Sequence, residues 1–502
     1  MSDHIVATDM NKAQRVVYVI SDLHIGGRYA EGDDPNNRGF RINTHVEVLA
    51  KFVRGLADKR IAGVDVELII NGDFFDFLAE EDGTEDGGFE PFVEDARRAI
   101  QLFHRIVERD RVLFDALRAF TASGARLTLL LGNHDVELAL PHVRRELLKL
   151  LGVEEPSRIT FIHDGEAYAV GDALIEHGNR YDGFNVIDHD ALRRTRSLQS
   201  RGQAVIDHPL VPPPGSRLVA SIMNRIKKFY PFVDLLKPET EAVVPLLLAL
   251  EPGYRSNILE ILKLNHQATD HAPIAPARPR YSGDLAATGE APGYGDAAVG
   301  GREGDEVDAL LRAVMPPEEA ARFAASFPLA SASGDLAGST DLRTAWGLAR
   351  LLVGNASDAL EKRLPALLDA LRAVQSDRSF DRTYETKKPY LEAARELATH
   401  GFRFIVFGHT HLAKRVDLGE GRAYLNSGTW ADLLRVPQSI VTPGNPQAMA
   451  ELRDFVADLA ARRFGAWIEF QPTYVRLDVR GERVSHAELC EFAPNNGSGA
   501  EL

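Results

Sequence analysis

The chain has 502 residues, a formal net charge of −15 and one cysteine. At 44% hydrophobic and 26% charged it has ordinary globular composition, but it is too long for one compact unit, so a core domain with an added piece is expected. The acidic balance argues against a nucleic-acid surface, which rests on clustered Lys and Arg. Cys490 alone excludes an internal disulfide or a cysteine-based metal site, and it reads as a small buried apolar residue near a strand end.

Residues 1–14 read as a polar tail without the apolar stretch of a signal peptide. The longest uncharged apolar run, 243–250, is too short to span a bilayer, so a cytoplasmic location is expected. Residues 16–21 read as a buried strand that runs into Asp22 and His24. Side chains two apart on an extended segment share a side, which lets this pair grip one cation. Ile42, Val46, Leu49, Val53 and Leu56 give a helix over 42–58, followed by a strand over 66–71. That strand-helix-strand order implies parallel pairing. Asp73 sits at the second strand's end, with Asp76 three residues on.

The acidic, Gly-rich stretch 80–91 reads as a solvated loop, and 92–121 as one long amphipathic helix stopped by Ser123-Gly124. Next comes LTLLLGNHD, 127–135, in which a strand runs straight into functional groups. Gly132 permits a sharp turn, Asn133 offers a neutral oxygen to a hard cation, and His134 titrates near neutrality. A fourth strand ends in Glu176-His177-Gly178-Asn179-Arg180-Tyr181-Asp182.

From 185 to 394 the pattern changes to helical stretches at 216–230, 254–264, 317–327, 339–353 and 357–375, broken by prolines and by a linker-like segment near 271–306. This reads as a large, mainly helical insertion, and its His189, His208, His266 and His271 are expected to be non-ligands. In 216–230, Val219, Ile222, Met223, Ile226 and Tyr230 share a face, with Arg217, Arg225 and Lys228 mostly off it. Such a helix either packs on the rest of the insertion or makes a peripheral contact with an anionic membrane or an acyl chain.

The core resumes with a helix over 389–400, a strand over 403–407 and Gly408-His409-Thr410-His411, whose two histidines face one ion or, on a tight loop, two. Strands over 422–426, 467–479 and 483–492 and a helix over 446–464 complete it, and 493–502 reads as a tail. The expected division is therefore a core of 15–184 and 395–492 around an insertion of 185–394.

Open α/β sheets bind ligands at the carboxyl ends of their strands. Here five such ends carry Asp22, His24, Asp73, Asn133, His177, His409 and His411. Mixed carboxylate, imidazole and amide donors suit Mn²⁺, with Fe or Zn²⁺ as alternatives, better than Ca²⁺ or a structural zinc. Seven ligands are too many for one ion and fit two ions that share one carboxylate.

The series D-x-H, G-D-x-x-D, G-N-H, a lone histidine and G-H-x-H, in this order, resembles the calcineurin-like metallophosphoesterase family over roughly 16–184 and 400–492. The resemblance implies a layered αββα sandwich core. It also implies that Asp22, His24 and His411 hold one ion, that Asn133, His177 and His409 hold the other, and that Asp73 bridges them. His134 would be the catalytic histidine, paired with Asp76 or with its neighbour Asp135. Arg180, three residues past His177, would either clamp a phosphate oxygen or make a salt bridge.

The implied activity is hydrolysis of a phosphomonoester or phosphodiester by a metal-bridging hydroxide, with the insertion as a cap that shapes substrate choice. A lipid- or nucleotide-linked pyrophosphatase at the membrane surface is the alternative. A nuclease of the same broad family is disfavoured by the charge, and a non-catalytic scaffold by the complete ligand set. Family members that cleave UDP-diacylglucosamine typically read G-N-R-D where this chain has Gly132-Asn133-His134-Asp135, which argues against that membership.

Overall fold

A computed structural model describes residues 15–29, 39–81, 88–152, 158–205, 209–237, 239–251, 351, 360–374 and 378–493. The helices expected at 254–264 and 317–327, all but residue 351 of the one at 339–353, the linker 271–306, His208, His266, His271 and the tails 1–14 and 494–502 lie outside the described residues.

The chain is mixed α/β. Its strands are β1 Arg15–Ile20, β2 Val66–Asn71, β3 Arg126–Leu130, β4 Ile159–Ile162, β5 Tyr168–Val170, β6 Ala173–Ile175 and β7 Leu236–Lys237. They continue with β8 Phe404–Phe407, β9 Lys414–Gly419, β10 Arg422–Asn426, β11 Leu433–Arg435, β12 Ile468–Glu469, β13 Thr473–Arg480 and β14 Arg483–Glu491. Six form a sheet in the order β14-β13-β1-β2-β3-β4, five form one in the order β5-β6-β8-β10-β9, and β12-β11-β7 make a small third sheet. β1 to β4 are parallel, as the strand-helix-strand order requires, and so are β6, β8 and β10. Their runs are almost wholly apolar because both faces are covered.

Alternation along β1 shows how. Val17 and Val19 join Ile69, Leu130, Ile175, Val406 and Leu425 in a buried cluster shared by the two larger sheets. Tyr18 and Ile20 point the other way. They meet side chains of the helices α1 Val46–Ile61, α2 Ala96–Arg109, α3 Arg111–Ala122 and α4 Pro141–Leu150. On the far face of the five-stranded sheet, Leu174, Ile405 and Tyr424 pack with Tyr390, Ala394 and Leu397 of the helix Lys388–Thr399.

Several elements depart from the sequence reading. The helix expected over 92–121 is two, α2 and α3, divided at Asp110, whose carboxylate takes the guanidinium of buried Arg41. The strand expected over 467–479 divides because Ile468–Glu469 pairs with β11 while Thr473–Arg480 pairs with β1 and β14. The rod at 216–230 is helical from Pro214 to Leu218, makes a π turn over Val219–Met223, and is helical again over Asn224–Lys227. Just past the π turn, buried Asn224 donates from Nδ2 to the Leu78 carbonyl at 2.7 Å, which ties the rod to the loop after Asp76. Its apolar side is covered within the chain: Ile226 is buried, and Leu218, Ile222, Met223 and Tyr230 pack on the helical cluster. Among the described residues no helix is long and apolar enough to cross a membrane. Cys490 is half-buried rather than buried.

That helical cluster joins Glu239–Leu250, Leu360–Val374 and Ala448–Ala460 around Phe232, Leu434 and Ile440. β7 pairs with β11 in parallel beside it. Residues 431–468, expected in the core, thus pack with the helices. Conversely, Ala191 and Leu192 of α5 His189–Ser200 pack with the six-stranded sheet and its helices, so packing crosses both expected boundaries.

One side chain ties the two large sheets at their functional ends. Asn71, at the end of β2, donates from Nδ2 to the Glu176 carbonyl at 2.8 Å, and its own carbonyl accepts from His177 Nδ1 at 2.8 Å. Asn71→Ala leaves a buried carbonyl without this donor and is expected to cost about 1–3 kcal/mol. Urea unfolding checks it, and an unchanged midpoint would remove Asn71 from the inter-sheet tie.

Candidate metal centre

The backbone marks the site before any side chain does. Among the described residues seven non-glycine positions have positive φ, and five of them are Asp22, His24, Asp73, His409 and His411, at 54°, 44°, 48°, 67° and 61°. This left-handed conformation costs a non-glycine residue about 1–2 kcal/mol. Concentrated at the ends of β1, β2 and β8, it is the strain expected where side chains are aimed for a task.

Hydrogen bonds fasten the turns to one another. The amides of Leu23 and His24 both donate to the Asp73 carbonyl at 2.9 Å, and the His134 amide donates to Asp73 Oδ1 at 2.8 Å. The His409 amide donates to Asp22 Oδ2 at 2.9 Å. Close approach explains two glycines. A Cβ on Gly132 would lie 2.1 Å from Asp73 Oδ1, and one on Gly72, at φ 80°, would lie 2.4 Å from the His177 ring.

The result is two adjoining groups of donors, Asp22 with His24 and His411, and Asp73 with His177 and His409. His24 Nε2 and His411 Nε2 are 3.0 Å apart, the span of two ligands at right angles on a cation with bonds of about 2.1 Å. Asp73 Oδ2 lies 3.2 Å from His177 Nε2 and 3.8 Å from His24 Nε2, so this carboxylate reaches both groups. Asn133 lies beside them with its amide orientation set, since Nδ2 donates to Asn185 Oδ1 at 3.3 Å.

The donors fit a cation. His177 Nε2 and Asn133 Oδ1 are buried without a hydrogen-bond partner, a cost that a bound ion would remove. Two ring orientations are also fixed from behind. His177 holds Asn71 through Nδ1, leaving Nε2 inward, and His409 Nε2 holds Asp182 Oδ2 at 3.1 Å, leaving Nδ1 inward. This is the carboxylate or carbonyl backing that ligating histidines carry. Burial pushes the Asp22 carboxyl up, with Asp73 beside it adding to the effect, as expected of carboxylates gathered without their counter-charge.

A third group, His24 with Asp76 and His134, overlaps the first. In it His134 Nδ1 meets Asp76 Oδ1 at 3.1 Å. Burial opposes the imidazolium, but Asp73 and Asp76 outweigh it and bring His134 to about 9. Asp135, the local rival of Asp76, accepts instead from the Gly132 and Phe74 amides, each at 2.7 Å. Burial, reinforced by Asp73, pushes Asp135 up to about 7, and its role is to pin the turn.

Arg180 is already engaged. Its Nε lies 3.1 Å from Glu176 Oε2 and its other end donates to the Gly165 carbonyl, so the salt bridge, not a free clamp, is what forms. His189 is half-buried and away from both donor groups.

Sequence reading missed the supporting residues. Asp182 backs His409, and Asn185 links Asn133 to Asp182, donating to Asp182 Oδ2 at 2.9 Å. Ser21 donates to Asp22 Oδ2. Lys227 and Lys237, both buried, lie on the side of His134 and His411 in the helical part of the chain, with Lys227 paired to Asp234. Only the position of Asp182, in the run after His177, was visible as a signal. No family model matches the chain, and the search of curated proteins returned no match.

Two expectations follow. Asp182→Asn replaces the carboxylate behind His409 and should weaken divalent-metal binding about 10–100-fold, read by calorimetry; unchanged affinity would leave Asp182 structural only. The second concerns pH. Without metal, His134 is raised to about 9, and His177 to about 10 because Asp73 and Asp22 outweigh burial. Folded values above the unfolded value of about 6.5 mean that this stability is complete below about pH 6.5 and is lost as pH rises towards 9–10. Denaturation of EDTA-treated protein between pH 6 and 10 should show the decline, and His134→Gln should reduce it. A flat profile would contradict the two raised values.

Proposed function

We propose that the chain is a dinuclear metal-dependent phosphoesterase of the calcineurin-like type, hydrolysing a phosphate ester. One observation carries this reading: four strand ends bring six oxygen and nitrogen donors into two adjoining groups, with the Asp73 carboxylate within reach of both and Asn133 on the turn after β3. Two large sheets that share a core, with helices on their outer faces, agree with the αββα layering of that family. In this reading Asp22, His24 and His411 hold one divalent ion, Asn133, His177 and His409 the other, and Asp73 both. When bound, two such ions supply Lewis acidity and a nucleophile competent near neutral pH. The thiolate-free donor set favours Mn²⁺, Fe or Zn²⁺.

The chain's own residues do the rest. Asp76 holds His134 through Nδ1, so that Nε2 carries the proton for the leaving oxygen. The value of about 9 belongs to the metal-free chain. Divalent charge nearby disfavours the imidazolium and draws that value towards neutrality, where an acid catalyst is most effective. Gly132 lets the loop approach Asp73 closely enough for the His134 amide to hold that carboxylate. Asn185 and Asp182 hold Asn133 and His409 in their inward orientations.

We also read the helical part as a cap over the centre. Asn224 fastens it to the Leu78 carbonyl, two residues past Asp76, and buried Lys227, paired to Asp234, and Lys237 lie on the side of His134 and His411. The substrate is then an anion met by the positive charge of the bound metal. The membrane-surface alternative lacks support from 216–230, whose apolar side packs inward.

Mn²⁺-loaded protein assayed on p-nitrophenyl phosphate and on its bis-ester tests the reaction class, and hydrolysis of neither would sink it. His134→Ala should keep both metals and lose roughly 10²–10⁴ in rate on esters with poor leaving groups, and less as the leaving group improves. An equal loss across leaving groups would contradict proton delivery by His134.

A further inference from the structure

We propose that Arg144 and Arg196 form an anion subsite at the carboxyl end of β4, beside the metal centre, that takes a second phosphoryl group of the substrate. The inference rests on the phosphoesterase reading for its substrate, but the anion site stands on its own geometry.

The two arginines converge on one atom. Arg196, on α5, reaches His163 Nε2 through Nη2, and Arg144, on α4, lies 3.4 Å from the same nitrogen through Nη1. His163 Nδ1 donates to the Phe161 carbonyl at 2.8 Å, so Nε2 is an acceptor with a single lone pair. One lone pair cannot satisfy two guanidinium groups. Arg196 Nε is also buried with no hydrogen-bond partner.

Compensating charge is short as well. Burial, and then Arg144, pull Arg196 below its usual value, and Asp164 is the carboxylate that opposes them. Among the described residues neither arginine makes an ion pair with a carboxylate, although the chain as a whole is acidic. A third guanidinium, Arg180, holds the carbonyl of Gly165, two residues past His163. Positive charge without local partners, in forked donors that match a tetrahedral oxyanion, is the chemistry of phosphate recognition.

Position ties this cluster to the proposed reaction. β4 is the neighbour of β3, with Leu130 paired to Ile162. His163 follows directly after β4, while Asn133 lies three residues past Leu130, the end of β3, the neighbouring strand about 4.8 Å away. α5, which carries Arg196, begins four residues after Asn185, the residue that orients Asn133. A phosphoester that places one phosphate at the metal donors can therefore place a second over β4. The substrate class this selects is a bisphosphorylated or diphosphate-bearing ester.

The test has two readouts on the full-length chain. After EDTA treatment, calorimetric titration with pyrophosphate should show about tenfold or greater weakening in R144Q/R196Q. R196K, which keeps charge but loses the fork, should fall between. Matching circular dichroism and Tm establish that the variants fold, and the single R144Q variant, altered at the more peripheral contact, should already weaken binding. In Mn²⁺-loaded protein, the preference for a bisphosphate over p-nitrophenyl phosphate, as a ratio of kcat/KM, should fall about tenfold in the double variant. Equal pyrophosphate affinity in wild type and double variant overturns the anion site. Weakened pyrophosphate binding with an unchanged preference overturns the substrate assignment and leaves the site to a free anion. Hydrolysis of neither ester by loaded wild type sinks the phosphoesterase reading and the substrate assignment with it, while the titration still decides the anion site.

Discussion

The site depends on where one carboxylate sits. Asp73 follows directly from β2 through Gly72, in a left-handed turn, and its carbonyl holds the turn after β1 while its side chain accepts from the turn after β3. Its other oxygen faces His177, which comes from the second sheet. Three strand ends from one sheet and one from the other are thus registered against a single residue. Moving that residue by one position would break four contacts at once, so the turn tolerates a backbone conformation that a free loop would abandon.

Electrostatics concentrates a demand for positive charge at the site. The protein carries −15 overall, and without metal its buried carboxylates draw protons onto His134 and His177. Those protons and divalent ions compete for the same place. Metal binding needs neutral imidazoles and ionised carboxylates, so affinity for metal strengthens as pH rises over the range in which the metal-free fold weakens. The orphaned buried donors and the raised histidines are two views of one demand for positive charge.

Much of this was legible in the sequence because the signals were local. Asp22 with His24, Gly132-Asn133-His134 and His409 with His411 are each a few residues long, and a strand followed by a ligand needs no tertiary information to be recognised. What was illegible depends on distant partners. Asp182 matters because His409 lies 227 positions away in sequence. At the break between α2 and α3, Asp110 takes the guanidinium of Arg41 from a different segment, a contact that periodicity cannot show. Arg180 had the right spacing for a clamp, but Glu176 and the Gly165 carbonyl take it first. The packing of Ala448–Ala460 was illegible because its apolar stripe does not say which surface will cover it, and the cover is Glu239–Leu250 and Leu360–Val374.

The helical part is therefore not a separate lid hung on a finished α/β core. β11 leaves the strand-end loop that holds Thr429 against the Asp22 carbonyl, then pairs with β7 from the helical part. On the other side, Asn224 grips the loop that follows Asp76. The helical part is thus anchored to the segments after β1, β2 and β10, within a few residues of Asp22 and Asp76. A displacement of the helices large enough to open the centre would have to strain the turns that aim those side chains. Under the proposed function, such a centre suits substrates that enter between fixed walls better than substrates enclosed by a large hinge closure.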